Sequence, residues 1–205
     1  MATLEFFYDF TSPYSYLAST RVEDLARRTG AALRWRPFLL GGVFKATGNR
    51  APIEVQAKGK NMFLDLQRWA TRLGVPYRWP PVFPVPSILA LRAALAADGE
   101  GLVVPFTHAV YRAVWAEGRE IGTPEQLVPV LDAAGLDGPR LVAAAPAMKE
   151  ALIRQTQEAV DRGAFGAPAF FVGEELFTGN DRMDFVEEAL RRGGPQETGP
   201  LGLPP

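Results

Sequence analysis

The sequence predicts an α/β domain assembled from the two ends of the chain, with an all-helical segment between them. Three observations carry that expectation. Apolar alternation marks a strand near each terminus, "TLEFFYDF" and "APAFFVG". A Ser-Pro pair directly after the first of these has the composition of a helix start. Residues 41–157 show helical spacing only, interrupted by Gly and Pro.

Taken in order, the first strand runs into Ser12, an N-cap, and Pro13, the preferred first helical position. One helix follows, with Tyr16, Leu17, Val22 and Leu25 on its apolar face and Gly30 closing it. "AALRWRPFLL" is the second strand, so a strand, a helix and a strand within forty residues predict a parallel βαβ unit. Five segments then carry helical spacing: "NMFLDLQRWATRLG", "SILALRAALAADG", "VPFTHAVYRAVWAEG", "PEQLVPVLDAAG" and "APAMKEALIRQTQEAVDRG". The breaks "GVPYRWPPVFPVP" and "GLDGP" read as turns, and no segment repeats another at a fixed period. After Gly163, "APAFFVG" and "EELFTG" form a hairpin. "DRMDFVEEALRRGG" closes the fold as an amphipathic helix, with Asp181 as N-cap and Asp184 three residues on, in the manner of a capping box. The expected organisation is residues 1–40 with 158–193 as one discontinuous domain and 41–157 as a helical insertion. Residues 194–205 form a Gly/Pro-rich tail with too little apolar content to fold alone. A strand leading into Ser12-Pro13-Tyr14-Ser15 at a helix start is the layout on which thioredoxin-like proteins place Cys-x-x-Cys. The predicted α/β fold is therefore thioredoxin-like, with serine at both cysteine positions.

Composition narrows the chemistry. The 205 residues include no Cys and a single His, His108. That excludes disulfide exchange and thiolate catalysis by the chain itself, and argues against a multi-His or Cys-ligated metal site. Any nucleophilic sulfur must arrive with a ligand. A formal net charge of −1 gives no electrostatic case for nucleic acid. No apolar run reaches the ~20 residues of a membrane helix, and the N-terminus "MATLEFFYD" lacks a basic signal-peptide start, so a cytoplasmic location is expected.

Three places have both a structural and a functional reading. Ser12 caps a helix in the first; in the second its hydroxyl and the helix N-terminus donate to a bound thiolate and lower the thiol's pKa. Pro168, directly before a strand, is either an edge or strand-start proline or part of a cis Ala167–Pro168 peptide. The cis form would turn the backbone of Ala167 toward an extended ligand, and the Ser-Pro-x-Ser motif favours it. Asn180, Asp181 and Arg182 are a helix cap or a grip for the ammonium and carboxylate of an amino-acid-like group, and these two roles are compatible. His108, Trp69 and Trp115 read as structural. Lys45 and Lys60 read as solvent-facing, though either could meet a substrate carboxylate.

"FYDFTSPYSYLA", "GNRAP", "DLQRWA", "AVWAEG", "GAFGAPAFFVG" and "GNDR" occur in the order seen in the 2-hydroxychromene-2-carboxylate isomerase family, which the chain resembles over nearly its whole length. That family is related to kappa-class glutathione transferases and to the DsbA branch of the thioredoxin fold. The resemblance implies a glutathione cofactor, an unsaturated or aromatic carboxylate substrate and a homodimer. It implies that Ser12 is the catalytic serine contacting the glutathione sulfur. Ala167, with Pro168, would pair with the cysteinyl backbone, while Asn180, Asp181 and Arg182 would hold the γ-glutamyl end. Asn49 would lie near the junction of glutathione and substrate; Lys45 is a candidate substrate contact from the reading of the residues alone. One departure stands out: relatives carry an Asn-Ser or Asn-Thr pair after "FPx", whereas this chain has Pro86, which removes a side-chain amide and a backbone donor.

The expected activity is thus a glutathione-dependent isomerisation by reversible thiol addition. The alternatives are a kappa-like transferase conjugating electrophiles, and a thioredoxin-fold protein that binds a thiol or peptide without chemistry.

Overall fold

The computed structural model describes residues 1–193, so the expected tail at 194–205 lies outside the described residues. Four strands form one mixed sheet: β1 (Thr3–Tyr8), β2 (Ala32–Pro37), β3 (Ala169–Val172) and β4 (Glu175–Thr178), in the order β2-β1-β3-β4. β1 pairs with β2 in parallel, as the βαβ reading requires, and with β3 antiparallel. β3 and β4 form the expected hairpin.

Because β1 and β3 are the inner strands, both of their faces are covered, and successive side chains feed opposite sides. Leu4, Phe6, Tyr8, Phe170 and Val172 enter the main core. Phe7, Ala169 and Phe171 enter a smaller one with Phe38, Val43, Ala159 and Ala164. The register places Phe6 opposite both Trp35 and Phe170. Its ring stacks on Phe170 at 5.2 Å and meets Trp35 edge-on at 5.1 Å.

Where one helix was expected between β1 and β2, there are two: α1 (Pro13–Ser19) and α2 (Val22–Thr29). The break has a local cause. Ser19 Oγ donates to the Tyr16 carbonyl and Thr20 Oγ1 to that of Leu17, drawing the last turn of α1 into side-chain bonds. Gly30 closes α2 in the left-handed conformation, as expected.

Seven α-helices lie between β2 and β3: α3 (Leu40–Thr47), α4 (Gln56–Leu73), α5 (Ile88–Asp98), α6 (Val103–Tyr111), α7 (Pro124–Ala133), α8 (Gly138–Ala144) and α9 (Lys149–Asp161). α3 was not among the five expected segments and begins at Leu40, where the second strand was expected to continue, and α9 runs past the expected boundary at residue 157. The short α8 was not foreseen. It starts inside "GLDGP", where Asp137 accepts from the Arg140 N–H and Pro139 fits the first turn. Residues 75–86 form an irregular segment rather than a simple turn, held by Trp79, whose ring lies 4.4 Å from Phe63 and 4.7 Å from Phe83. After α6 the helix widens into a π-helical turn, Arg112–Ala116, and Trp115 Nε1 donates to the Phe10 carbonyl at 2.9 Å. None of the described helices is long and apolar enough to cross a membrane.

The closing helix α10 (Met183–Arg192) corrects one expectation. Asp181 does not cap it: Asn180–Arg182 form a 3₁₀ turn, the N-cap position falls on Arg182, and no side chain bonds there. The Arg182 N–H donates to the Gly179 carbonyl at 3.2 Å, which ends the extended β4 in a tight turn and moves the helix start two residues beyond Asp181.

Candidate active site

The C-terminal end of β1 delivers Asp9, Thr11 and Ser12 into one tight turn. Asp9 is fully buried and is the post around which that turn is built. Its Oδ1 accepts from the Thr11 N–H at 3.0 Å and its Oδ2 from the Leu40 N–H at 2.8 Å, while its carbonyl accepts from the Ser12 N–H at 3.0 Å. Ser87, just before α5, lies beside the carboxylate. Burial raises the Asp9 pKa, and Thr11, Ser87 and Leu40 oppose the rise. One carboxylate thereby ties the Ser12 turn to the first turn of α3 and sits beside the start of α5.

Ser12 caps α1 as the sequence predicts, its Oγ accepting from the Ser15 N–H at 3.1 Å. The same oxygen donates to the Ala167 carbonyl at 3.0 Å, and the Ala167–Pro168 peptide is cis. Both donor and acceptor roles follow from the partners, since an amide N–H can only donate and a carbonyl can only accept. Pro168 precedes an inner strand, so the edge-strand reading is excluded. Its carbonyl accepts from the Gly179 N–H at 3.0 Å, which brings residues 179–182 beside Ala167.

The result is a cleft of about 420 Å³ lined by Tyr14, Asp65, Trp69, Ala167, Asn180 and Asp181. Three predicted residues, Ala167, Asn180 and Asp181, meet there, and Ser12 is one hydrogen bond away. The Asn180 side chain does not face outward: it is buried, and its Oδ1 and carbonyl both accept from Arg21, at 2.9 and 2.6 Å. Asp181 is half-exposed and ion-paired with Arg182 at 3.3 Å.

Tyr14, Asp65 and Trp69 were not singled out from the sequence as ligand contacts. Tyr14 lies inside the Ser-Pro-x-Ser motif, and Asp65 and Trp69 both belong to "DLQRWA", a quoted segment in which Trp69 was read as core. Tyr14 Oη donates to Asp65 Oδ2 at 3.0 Å. Burial, reinforced by the Asp65 charge, raises the tyrosine pKa and keeps it a neutral donor. The Trp69 ring is flanked by the guanidinium groups of Arg21 and Arg72, 5.4 and 5.6 Å from its centroid. Tyr14 also borders a second cleft of about 420 Å³, lined with Pro52, Ala57, Lys58, Asn61 and Met62. Lys58 makes no ion pair among the described residues. The pair of clefts therefore offers carboxylates on one side of Tyr14 and a free ammonium on the other.

The remaining predicted residues lie elsewhere. Asn49, exposed after the end of α3, donates from Nδ2 to the Phe165 carbonyl at 2.7 Å and so braces the segment leading to Ala167. Lys45 faces a separate groove between α3, α5 and α9. His108 is structural as read, paired with Glu23 at 2.8 Å, and Trp115 is fully buried. Pro86 lies against Gly122, and the preceding Val85 N–H donates to Thr11 Oγ1 at 3.0 Å.

The DSBA-like thioredoxin domain family matches residues 3–191. A 2-hydroxychromene-2-carboxylate isomerase of Sphingobium xenophagum is 38% identical over 192 residues, covering 92% of this chain and 97% of the relative. The chain belongs to the 2-hydroxychromene-2-carboxylate isomerase family. A solved structure of a 2-hydroxychromene-2-carboxylate isomerase superposes with a TM-score of 0.83 at 29% identity, covering 93% of this chain and 95% of that one. Glutathione S-transferase kappa 1 of Caenorhabditis elegans is 27% identical over 208 residues, with 94% and 92% of the two chains covered. The fold and the isomerase family expected from the motifs both stand, on a DsbA-like thioredoxin frame that here carries no cysteine.

Proposed function

We propose that this isomerase-family protein uses glutathione to isomerise a small unsaturated or aromatic carboxylate. The bond from Ser12 Oγ to the Ala167 carbonyl carries the reading. It holds a buried hydroxyl against the backbone edge that an extended thiol peptide would use. Rotating that one hydroxyl releases the carbonyl to accept from the ligand's cysteinyl N–H and aims the proton at its sulfur. The two polar contacts of a bound cysteinyl group, one at its N–H and one at its thiolate, are thus prepared by one bond within the protein.

The chemistry of the lining residues fits the tripeptide. Asp65 and Asp181 face the cleft where a γ-glutamyl ammonium needs anions, and Arg182 stands beside Asp181 for the neighbouring carboxylate. Beyond Tyr14, Lys58 suits the glycine carboxylate at the other end. Bound glutathione would supply a nucleophilic sulfur that adds reversibly to an unsaturated carbon, so that a double bond becomes single, rotates and reforms. Ser12 favours the charged thiol, Tyr14 holds Asp65 in place, and Asn49 fixes the segment that presents Ala167.

The kappa-class relative supports a second outcome from the same site, conjugation of the thiol to an electrophile. One experiment separates the two: isomerisation of a 2-hydroxychromene-2-carboxylate, followed with and without glutathione while free thiol is counted. The isomerase reading expects turnover only with glutathione and no net loss of thiol. Stoichiometric thiol loss would favour the transferase. Turnover that is indifferent to glutathione would overturn both.

A further inference from the structure

On another part of the molecule, three helices present matching faces to one groove of about 500 Å³. α9 contributes Lys149, Leu152, Ile153, Thr156 and Val160, a stripe at helical spacing. α5 contributes Ile88 and Arg92, one turn apart, and Lys45 on α3 completes the rim. No residue of this groove lines either cleft beside Tyr14.

Two features point to a ligand. Large apolar side chains remain in contact with solvent, Ile88 at 46% and Ile153 at 52% exposure. Among the lining residues there are three cations and no carboxylate, and none of Lys45, Arg92 and Lys149 forms an ion pair among the described residues. Arg92 goes further: its Nε is shut off from solvent with no hydrogen-bond partner. Its terminal nitrogens, unpartnered among the described residues and not shut off from solvent, are the donors that an incoming anion can reach. The volume falls in the range of small-molecule sites.

We propose that this groove binds an amphiphilic organic carboxylate, its apolar body along Ile88, Ile153 and Val160 and its carboxylate on Arg92 with Lys45 and Lys149 around it. The guanidinium is the natural anchor, because its planar donors match a carboxylate. The site goes beyond the thiol clefts and stands without them. It also gives Lys45 a role in carboxylate binding away from Ser12.

The test is calorimetric titration with cinnamate and with cinnamamide, which has nearly the same shape and no charge. Cinnamate should bind at least tenfold more tightly than the amide. Arg92→Gln should weaken cinnamate ten- to a hundredfold, and Lys149→Glu and Ile153→Glu, at exposed positions that folding tolerates, should each weaken it several-fold. Glutathione affinity should be unchanged in all three variants, so a failure here is distinct from a failure of the thiol-site reading. Equal binding of acid and amide, full competition by inorganic sulfate, or cinnamate affinity indifferent to all three substitutions would overturn the proposal. Light scattering on the same samples supplies a further check. A dimer that Ile153→Glu splits into monomers would mark the groove as a subunit interface instead.

Discussion

At the scale of single residues, Ser12 and Asp181 separate structural from functional demands. Ser12 Oγ serves two backbone groups at once, the buried Ser15 N–H and the half-buried Ala167 carbonyl. Ser12→Ala should therefore cost about 1–3 kcal/mol in urea unfolding, more than an ordinary cap, because two partners lose their bonds. On the proposed function, turnover with glutathione should fall by ~10²-fold or more, the size of a lost transition-state donor. A variant with normal turnover and only lower stability would leave Ser12 as a cap. Asp181 behaves oppositely, since it caps nothing and faces the cleft. Asp181→Asn should leave the melting temperature of the unliganded protein almost unmoved. Glutathione affinity should drop by roughly ten- to a hundredfold, as expected for removing a charge-assisted bond. Unchanged affinity would place the γ-glutamyl group elsewhere.

At the scale of elements, the turn between β4 and α10 is the most demanding piece of backbone near the cleft. Gly179 adopts φ +108°, which L side chains rarely reach, and a methyl group there would come within 2.5 Å of Asp181 Oδ1. Its N–H also holds the Pro168 carbonyl. Gly179→Ala should lower stability by about 1–3 kcal/mol through backbone strain. It should also displace the Asp181 carboxylate, so thiol affinity should fall by up to the amount that Asp181→Asn removes. Thermal melts and glutathione titrations on both variants and their double mutant check this: if Gly179 acts through Asp181, the two affinity losses will not add. The division of the first helix into α1 and α2 belongs to the same scale. It frees Arg21 to reach Asn180 and to lie over Trp69, so the break contributes to the wall of the cleft.

At the scale of the whole molecule, aromatic burial sets the response to alkali. All five tyrosines, Tyr8, Tyr14, Tyr16, Tyr77 and Tyr111, have raised pKa values with burial as the first cause. Unfolded tyrosine ionises near pH ~10, so below that the two states hold the same protons and stability is flat. Above it the unfolded chain releases protons that the folded chain keeps, and stability must fall as pH rises. Urea midpoints should match at about pH 8 and 9 and decline steeply by about pH 11. A midpoint unchanged at the higher pH would mean that the tyrosines ionise freely in the folded protein.

Much of this was legible in the sequence because it rests on short-range chemistry. The strand signals at both ends, the Ser12 cap with Pro13 behind it, the hairpin and the helical character of the middle all follow from local composition and spacing. The absence of cysteine determined that any sulfur chemistry must be borrowed. Asp181 was misread as a cap because its spacing to Asp184 is that of a capping box, while the constraint that wins is Gly179 bound to Pro168 across the sheet. Tyr14, Asp65 and Trp69 line the cleft only because α1 and α4 pack together, and Lys45 faces another groove because α3 packs on α9. Contacts between elements distant in the chain leave no periodic trace along it. The sequence determined which segments fold and which chemistry is available; only tertiary packing decided which side chains share a cleft.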